Sequence, residues 1–414
     1  MRKFLLVMFF VMCPVLAHGA TYYVATTGSD STSCANAQSQ STPKLTINAG
    51  IGCLSSGDTL IVKAGIYNEI IPDNIPSGTA GTPTTVKSEV QYGAVLRPDG
   101  SQSKPDGVGF VIFGWTGDRS YITFDGFVLD AVDMPAPVYI TYIKNGDNHH
   151  ITISNNEMKN AAHYDDGTSS DGFVLGHTAH EIVFRGNKIH DIGTGASSSE
   201  HFFSYCSYFT GQNSVFENNE LYNCSGFGLH MYDATGLGSN NNIVRNNYIH
   251  DNGGQGILFA SGGQNNLLYN NIIVHNGIGP APQTGGIQVG GYGSPSANNG
   301  VYNNTVYNNN GNCIEIGGNG PSDNTIRNNI CYQNSNDNVV VSSGSGNTID
   351  HNLLGTNPLF VNATAQDFHL QAGSPAIYAG VVIPGLPYCG SAPTLGALDR
   401  CGLPAPTNLR LVVN

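Results

Sequence analysis

Through the middle of the chain, short runs of alternating apolar and polar residues are separated by asparagine pairs or by glycine. The segments NSVFENNELYNCSGFGLHMY (213–232), NNIVRNNYIHDNGGQGILFA (241–260), NNGVYNNTVYNNNGNCIEIG (298–317) and DNTIRNNICYQNSNDNVVVS (323–342) share one layout. Each holds an apolar run, an Asn pair, a second apolar run, a Gly- or Asn-rich turn and a third run. Taking the second residue of each pair as a marker gives Asn156, Asn187, Asn219, Asn247, Asn271, Asn304, Asn329 and Asn352. Three residues before the markers stand Ile153, Phe184, Phe216, Val244, Leu268, Val301, Ile326 and Ile349; two residues after them stand Met158, Ile189, Leu221, Ile249, Ile273, Val306, Cys331 and Leu354. All sixteen are apolar in a chain that is only 40% hydrophobic. A period of two belongs to strands, so these positions read as inward-facing columns.

Successive markers are 31, 32, 28, 24, 33, 25 and 23 residues apart. A repeat this short buries no core alone and must stack on its neighbours, which predicts an all-β solenoid of coils with loops of varying length. The marker column predicts a ladder, because an inward Asn at a tight bend tolerates left-handed backbone angles and hydrogen-bonds to its counterpart in the next coil. Upstream, SYITFDGFVLD (120–130) puts Phe127 in the Asn position, so the ladder is expected to begin near residue 150. In the third runs, the inward pairs Phe173/Leu175, Leu229/Met231, Ile257/Phe259, Ile287/Val289, Ile314/Ile316 and Val339/Val341 leave Val174, His230, Leu258, Gln288, Glu315 and Val340 outward, one above another at a strand spacing of about 4.8 Å. A solenoid needs its ends covered, and TPKLTINAGIGCLSSGDTL (42–60) contains the one expected helix, placed to plug the first coil.

Composition narrows the setting. Met1, Arg2 and Lys3 precede FLLVMFFVMCPVLA and small residues around Ala17, Gly19 and Ala20, the layout of a secretory signal peptide over 1–20. Its removal takes two basic residues with it, moving the net charge from −13 to −15. An acidic chain poor in Lys and Arg argues against nucleic acid and anionic membranes as partners, and no later stretch is long enough to insert in a bilayer. An extracellular or periplasmic monomer is the expected state. Eight cysteines follow the signal, an even number that favours disulfides in an exported chain. Cys34 with Cys53 and Cys389 with Cys401 are the expected pairs, since each lies in an irregular end region, whereas Cys331 in an inward column is expected as a buried free thiol. No Cys-x-x-Cys or His-x-x-x-His spacing is present, which argues against a zinc site.

The runs TYYVATTGSD (21–30), SSGDTLIVKAGIYNE (55–69), the Asn-rich coils and NPLFVNATAQDFHLQAGSPAIYAG (357–380) resemble the secreted right-handed parallel β-helix, or pectate-lyase-like, superfamily over nearly the whole mature chain. The resemblance implies a right-handed parallel β-helix with an N-terminal capping helix, divided into an N-terminal cap and first coils (21–117), β-helix repeats (118–356), a C-terminal cap (357–404) and a tail (405–414) similar to the start of a fibronectin type III module. It also implies a polysaccharide partner and a polysaccharide lyase or glycoside hydrolase activity. The competing reading is a non-catalytic carbohydrate-binding or surface structural protein. Family motifs are absent: there is no Asp-Pro-His-Asp, no Asn-Lys-Ser segment, and Asp165-Asp166 and Gly176-His177-Thr178 lack the companions found in polygalacturonases.

Polar chemistry concentrates in HYDDGTSSDGF (163–173), SSSEHFFSYCSYF (197–209) and GFGLHMYD (226–233), which belong to consecutive coils and are therefore expected to be neighbours. His230 or His201 is the candidate proton-transfer group, with Glu200 or Asp171 as its carboxylate partner or as a second acid/base. Glu200 and His201 are favoured because two ionisable residues stand together at the mouth of a long insertion. Tyr205 and Tyr232 are candidates for stacking on a sugar, and Lys188 is the candidate cation. Asp165 and Asp166 offer hard oxygen ligands for calcium. Both EHFFS and SYCSYF fit the third-run position of their coil, so the sequence leaves that register open.

Overall fold

The computed structural model describes residues 19–101, 104, 107–162, 169–195, 203–232, 238–279, 285–291 and 293–398. The chain winds as a right-handed parallel β-helix whose coils contribute one strand to each of three sheets. Sheet 1 has twelve strands, from Thr21–Val24 to Thr348–Asp350. Sheet 2 has eleven, from Gly65–Tyr67 to Leu353–Leu354, and sheet 3 has ten, from Ile71–Pro72 to Asn336–Val341. The first, second and third apolar runs of each repeat supply sheets 1, 2 and 3. Every inter-coil strand pairing is parallel, and the inward flanks of the markers stand in register, Ile153 beside Phe184 in sheet 1 and Met158 beside Ile189 in sheet 2.

These columns are buried from one end of the repeats to the last coil. There Ile349 and Val341, both expected inward, are 37% and 47% exposed. Phe360, Phe368, Ala376 and Leu395 pack with Val274 and Ile330 against the outer face of sheet 2, and Asn328 Nδ2 donates to the Val381 carbonyl. At the other end, a single α-helical turn, Ile47–Ile51, is capped by the Thr46 hydroxyl, which accepts from Ala49 N. Ile47 and Ile51 join Val24, Leu60 and Val62 in one apolar cluster.

The marker asparagines form the expected ladder. From Asn156 to Asn352, the backbone N–H and the Nδ2 of each donate to the Oδ1 of the next, at 2.9–3.3 Å. Phe127 N donates to Asn156 Oδ1 and starts the stack. The left-handed angles fall on the residue before the marker: Asn155, Gly186, Asn218, Asn246, Asn270, Asn303, Asn328 and His351 have φ between 52° and 65°. One residue of each pair makes the bend and the other makes the ladder.

Two further ladders run at the other corners, Asn242–Asn266–Asn299–Asn324–Asn347 and Asn252–Asn276–Asn309–Asn334. Their members sit five residues before and five residues after the markers, since a three-residue strand plus a two-residue corner repeats every five residues.

Cys34 pairs with Cys53 as expected. Cys389 is disulfide-bonded, and Cys401, its expected partner, lies outside the described residues. Cys331 is not a free thiol: it is bonded to Cys313, with Cα atoms 5.7 Å apart, and Cys206 is bonded to Cys224. Cys331, in the inward column of sheet 2, faces Cys313 of sheet 3 across the narrow core, whereas Cys224 closes the corner after sheet 2 against Cys206, just before the sheet 3 strand Ser207–Phe209. Disulfides of this kind persist in oxidising compartments. No helix among the described residues is long and apolar enough to cross a membrane.

Candidate functional site

Register along the outer face of sheet 3 puts Tyr142, Val174, Tyr208, His230, Leu258, Gln288, Glu315 and Val340 in one row. The six residues expected outward are all in it. Tyr142 and Tyr208 extend it into the early coils. The undecided coil contributes Ser207–Phe209, so SYCSYF occupies the third-run position.

The early half of this row is the floor of a cleft of about 740 Å³, within the size range of small-molecule and saccharide sites. Tyr139, Tyr142, Phe203, Tyr205, Tyr208, Phe227 and Tyr232 give it aromatic walls, with Asp171, His177 and His230 as its ionisable side chains other than the tyrosines. Tyr205, Phe227 and Leu258 form their own apolar cluster on the outside of the sheet, separate from the solenoid core.

Asp171 opens the strand Asp171–Leu175 and pairs with Tyr139 one coil back. Its Oδ1 accepts the Tyr205 amide at 2.8 Å, and its Oδ2 accepts the Ser169 hydroxyl at 3.4 Å. Among the described residues no cation neutralises it. Burial therefore dominates and pushes the carboxyl up to about 7 from an ordinary 3.8, so the protonated acid persists toward neutral pH. Burial, aided by the Asp171 charge, raises the Tyr205 hydroxyl as well.

His230 stands in the next coil but one, inside an aromatic box. The rings of Tyr205, Tyr208, Phe227 and Tyr232 lie with centroids 4.6, 5.1, 5.3 and 5.5 Å from the imidazole. Its Nδ1 is buried with no hydrogen-bond partner among the described residues. Removal from water lowers its pKa to about 3, so the ring is neutral. A protonatable carboxyl at the Tyr205 amide and a neutral imidazole against the Tyr205 ring thus share the cleft, a pair whose surroundings push their pKa values apart.

Asp171, His230, Tyr205 and Tyr232, singled out from the sequence, all line this cleft. Glu200, His201, Asp165 and Asp166 lie outside the described residues. Lys188 does not line it. The residue after a marker Asn begins sheet 2, so Lys188 projects from a different side of the solenoid, where its Nζ is 2.9 Å from Glu220 Oε2. Sequence reasoning missed Tyr139, Tyr142, Tyr208 and Phe227. The outward row would have exposed Tyr142 and Tyr208, but the coil of Tyr142 precedes the first marker, Asn156, and in the coil of Tyr208 both EHFFS and SYCSYF fit the third-run position.

A family profile described as "Right handed beta helix region" matches residues 197–354. No curated protein matches the sequence. Among solved structures, the chain is similar to "Crystal structure of pectate lyase Pel9A", with 17% identity, a TM-score of 0.63, and 92% of this chain and 96% of that one covered. It is also similar to "The complex structure of XylC with xylose", with 11% identity, a TM-score of 0.50, and 82% and 87% covered. At these identities the likeness establishes the pectate-lyase-like fold.

Proposed function

We propose that this is an exported enzyme that holds a neutral glycan chain in the aromatic cleft and hydrolyses it, with Asp171 as the proton donor. The observation that carries this reading is Asp171 itself, a buried carboxyl with no cationic partner among the described residues on the floor of an aromatic-walled groove. Such a group stays protonated near neutral pH and can give its proton to a glycosidic oxygen as the bond to the anomeric carbon breaks. Tyrosine and phenylalanine faces suit the apolar faces of sugar rings, and neutral His230 can donate at one ring nitrogen and accept at the other.

Hydrolysis needs a second carboxylate to activate water or attack the anomeric carbon. Glu200, three residues before Phe203 in the chain, is assigned that role, with His201 beside it. The glycan is taken as neutral because no Lys or Arg lines the cleft. Residues 163–168, 196–202, 233–237 and 280–284 contain none either. A uronate carboxylate would therefore depend on a bridging cation such as calcium on Asp165 and Asp166. Names of the matched folds, a pectate lyase and a xylose complex, agree with a sugar ligand.

The test is a panel of neutral and acidic polysaccharides, with and without chelator, assayed for new reducing ends and for ultraviolet-absorbing unsaturated products. Reducing ends alone on a neutral glycan, lost by at least a hundredfold in Asp171→Asn, are expected. Unsaturated products from a uronan would replace this reading with a lyase. Saturable binding with no turnover would replace it with a carbohydrate-binding protein.

A further inference from the structure

Where sheet 3 turns into sheet 1, two adjacent coils bring together side chains that are far apart in sequence. His149 and His150 open the strand His149–Ser154, and His180 and Glu181 take the equivalent places one coil on, with His149 bridged to His180. The His149 and His180 rings stack at 5.3 Å and 11°. His149 Nδ1 lies 2.7 Å from His150 Nδ1, and His150 Nδ1 lies 3.4 Å from Glu181 Oε2. Ligand atoms of His149, His150 and Glu181 all fall within 4.8 Å of one another. Behind them His180 links Glu181, at 3.2 Å from its Nδ1, to Asp147, at 2.9 Å from its Nε2.

The corner is also out of keeping with the later coils of the solenoid. The same left-handed position is filled by Asn213, Asn241, Asn265, Asn298 and Asp323 in later coils, residues whose short side chains suit it. Here it is filled by His150 at φ 53° and Glu181 at φ 55°. Three consecutive coils give up the favoured residue, Tyr121 at φ 54° and then His150 and Glu181, and the last two are metal-ligating types aimed at one point. A departure from a local rule of this kind marks a functional or strained site.

We propose that His149, His150 and Glu181 bind a divalent first-row transition ion of the zinc class, with His180 and Asp147 as the outer groups that orient Glu181. Two imidazole nitrogens and one carboxylate are a borderline-soft set suited to zinc rather than calcium. Glu181 and Asp147 together balance the charge of a dication, and the carboxylate–histidine–carboxylate chain is the outer-shell arrangement that fixes ligand orientation. Nitrogens about 2.0–2.1 Å from a tetrahedral zinc lie about 3.3–3.4 Å apart. The two rings must therefore separate by somewhat more than half an ångström, which the exposed His150 can supply by rotation. Asn145 and His177, two and three residues before Asp147 and His180, line the cleft. The ion would thus clamp the two coils that form one rim of it, independently of how the cleft acts.

Chelator-stripped full-length protein titrated with zinc chloride at pH 7.5 should show one saturable site by calorimetry, of micromolar or tighter affinity, and a zinc-dependent rise in Tm. His150→Asn installs the residue other coils use at this corner. It should fold at least as well without zinc and lose affinity at least tenfold, as should Glu181→Gln. His275→Ala, in the separate histidine cluster on sheet 2, should leave affinity unchanged. Absence of saturable binding, or binding that survives both corner variants or falls with His275→Ala, would overturn the proposal.

Discussion

The coils of residues 120–232 and those of residues 240–354 share a backbone plan but close their corners differently. In the later coils all three corners carry asparagine ladders, and outward positions of sheet 3 hold Gln288, Glu315 and Val340. In the earlier coils only the marker corner has the ladder. The other two are filled by Ile182 and Ser214, and by Ala161, Ile192 and Cys224, the last tied to Cys206. The outer face of the early coils carries the aromatic cleft, and the segments around it are long. Asparagine amides suit a corner only when neighbouring coils keep the same length and position, because each amide bonds both ways along the stack. Where long loops interrupt the repeat, apolar side chains and a disulfide close the corners instead, since they need no matched partner.

Asn304→Ala tests this contrast most strongly. Asn304 Nδ2 donates to Asn329 Oδ1 and to the Leu268 carbonyl, and its Oδ1 accepts from Asn271 N and Nδ2, all out of water. Truncation strands several buried groups at about 1–3 kcal/mol each, so a loss of about 3–5 kcal/mol is expected in denaturant unfolding. Asp171→Asn keeps an acceptor for Tyr205 N and should change stability far less. If the two variants were equally destabilised, the division between ladder coils and cleft coils would fail.

A smaller effect follows from the opposite shifts in the cleft. The folded pKa of Asp171 is raised, so the native state holds the proton more tightly. Its stabilising contribution is complete below about pH 3.8 and is lost as pH rises toward 7. For His230 the folded pKa is depressed, so its contribution is complete above about pH 6.5 and is lost as pH falls toward 3. Unfolding free energy measured from pH 4 to 7 should therefore lose its alkaline decline in Asp171→Asn. In His230→Gln the loss on acidification should shrink instead.

The smallest effect belongs to Lys188→Met. Its ion pair with Glu220 is half-exposed and contributes under about 1 kcal/mol, and it sits on sheet 2, away from the cleft. Turnover should stay within about twofold of the parent, measured on whichever glycan is cleaved. A larger drop would place the substrate path across sheet 2.

Much of the architecture was legible because it is written in local, periodic terms. Ile153, Asn156 and Met158 announce one coil, and seven later triplets repeat the announcement. The flanking ladders were equally present, as Asn242-x4-Asn247-x4-Asn252 shows, but a single marker column did not reveal a five-residue period. For the candidate site, Asp171, His230, Tyr205 and Tyr232 were identifiable as residue types gathered in consecutive coils. Lys188 was misplaced because sequence proximity says nothing about which of three sheets a residue faces. Cys331 was misread because apolar burial and disulfide bonding look alike from one column.

The sequence by itself therefore determined the repeat, the inward columns and the marker ladder, since each follows from residues a few positions apart. Only the tertiary structure decided that Asp171 is buried with no cationic partner among the described residues, that His230 is boxed by four rings, and that His149, His150 and Glu181 converge. These depend on groups one coil apart, 22 to 34 residues along the chain, whose closeness is set by loop lengths and stacking register and by no local pattern.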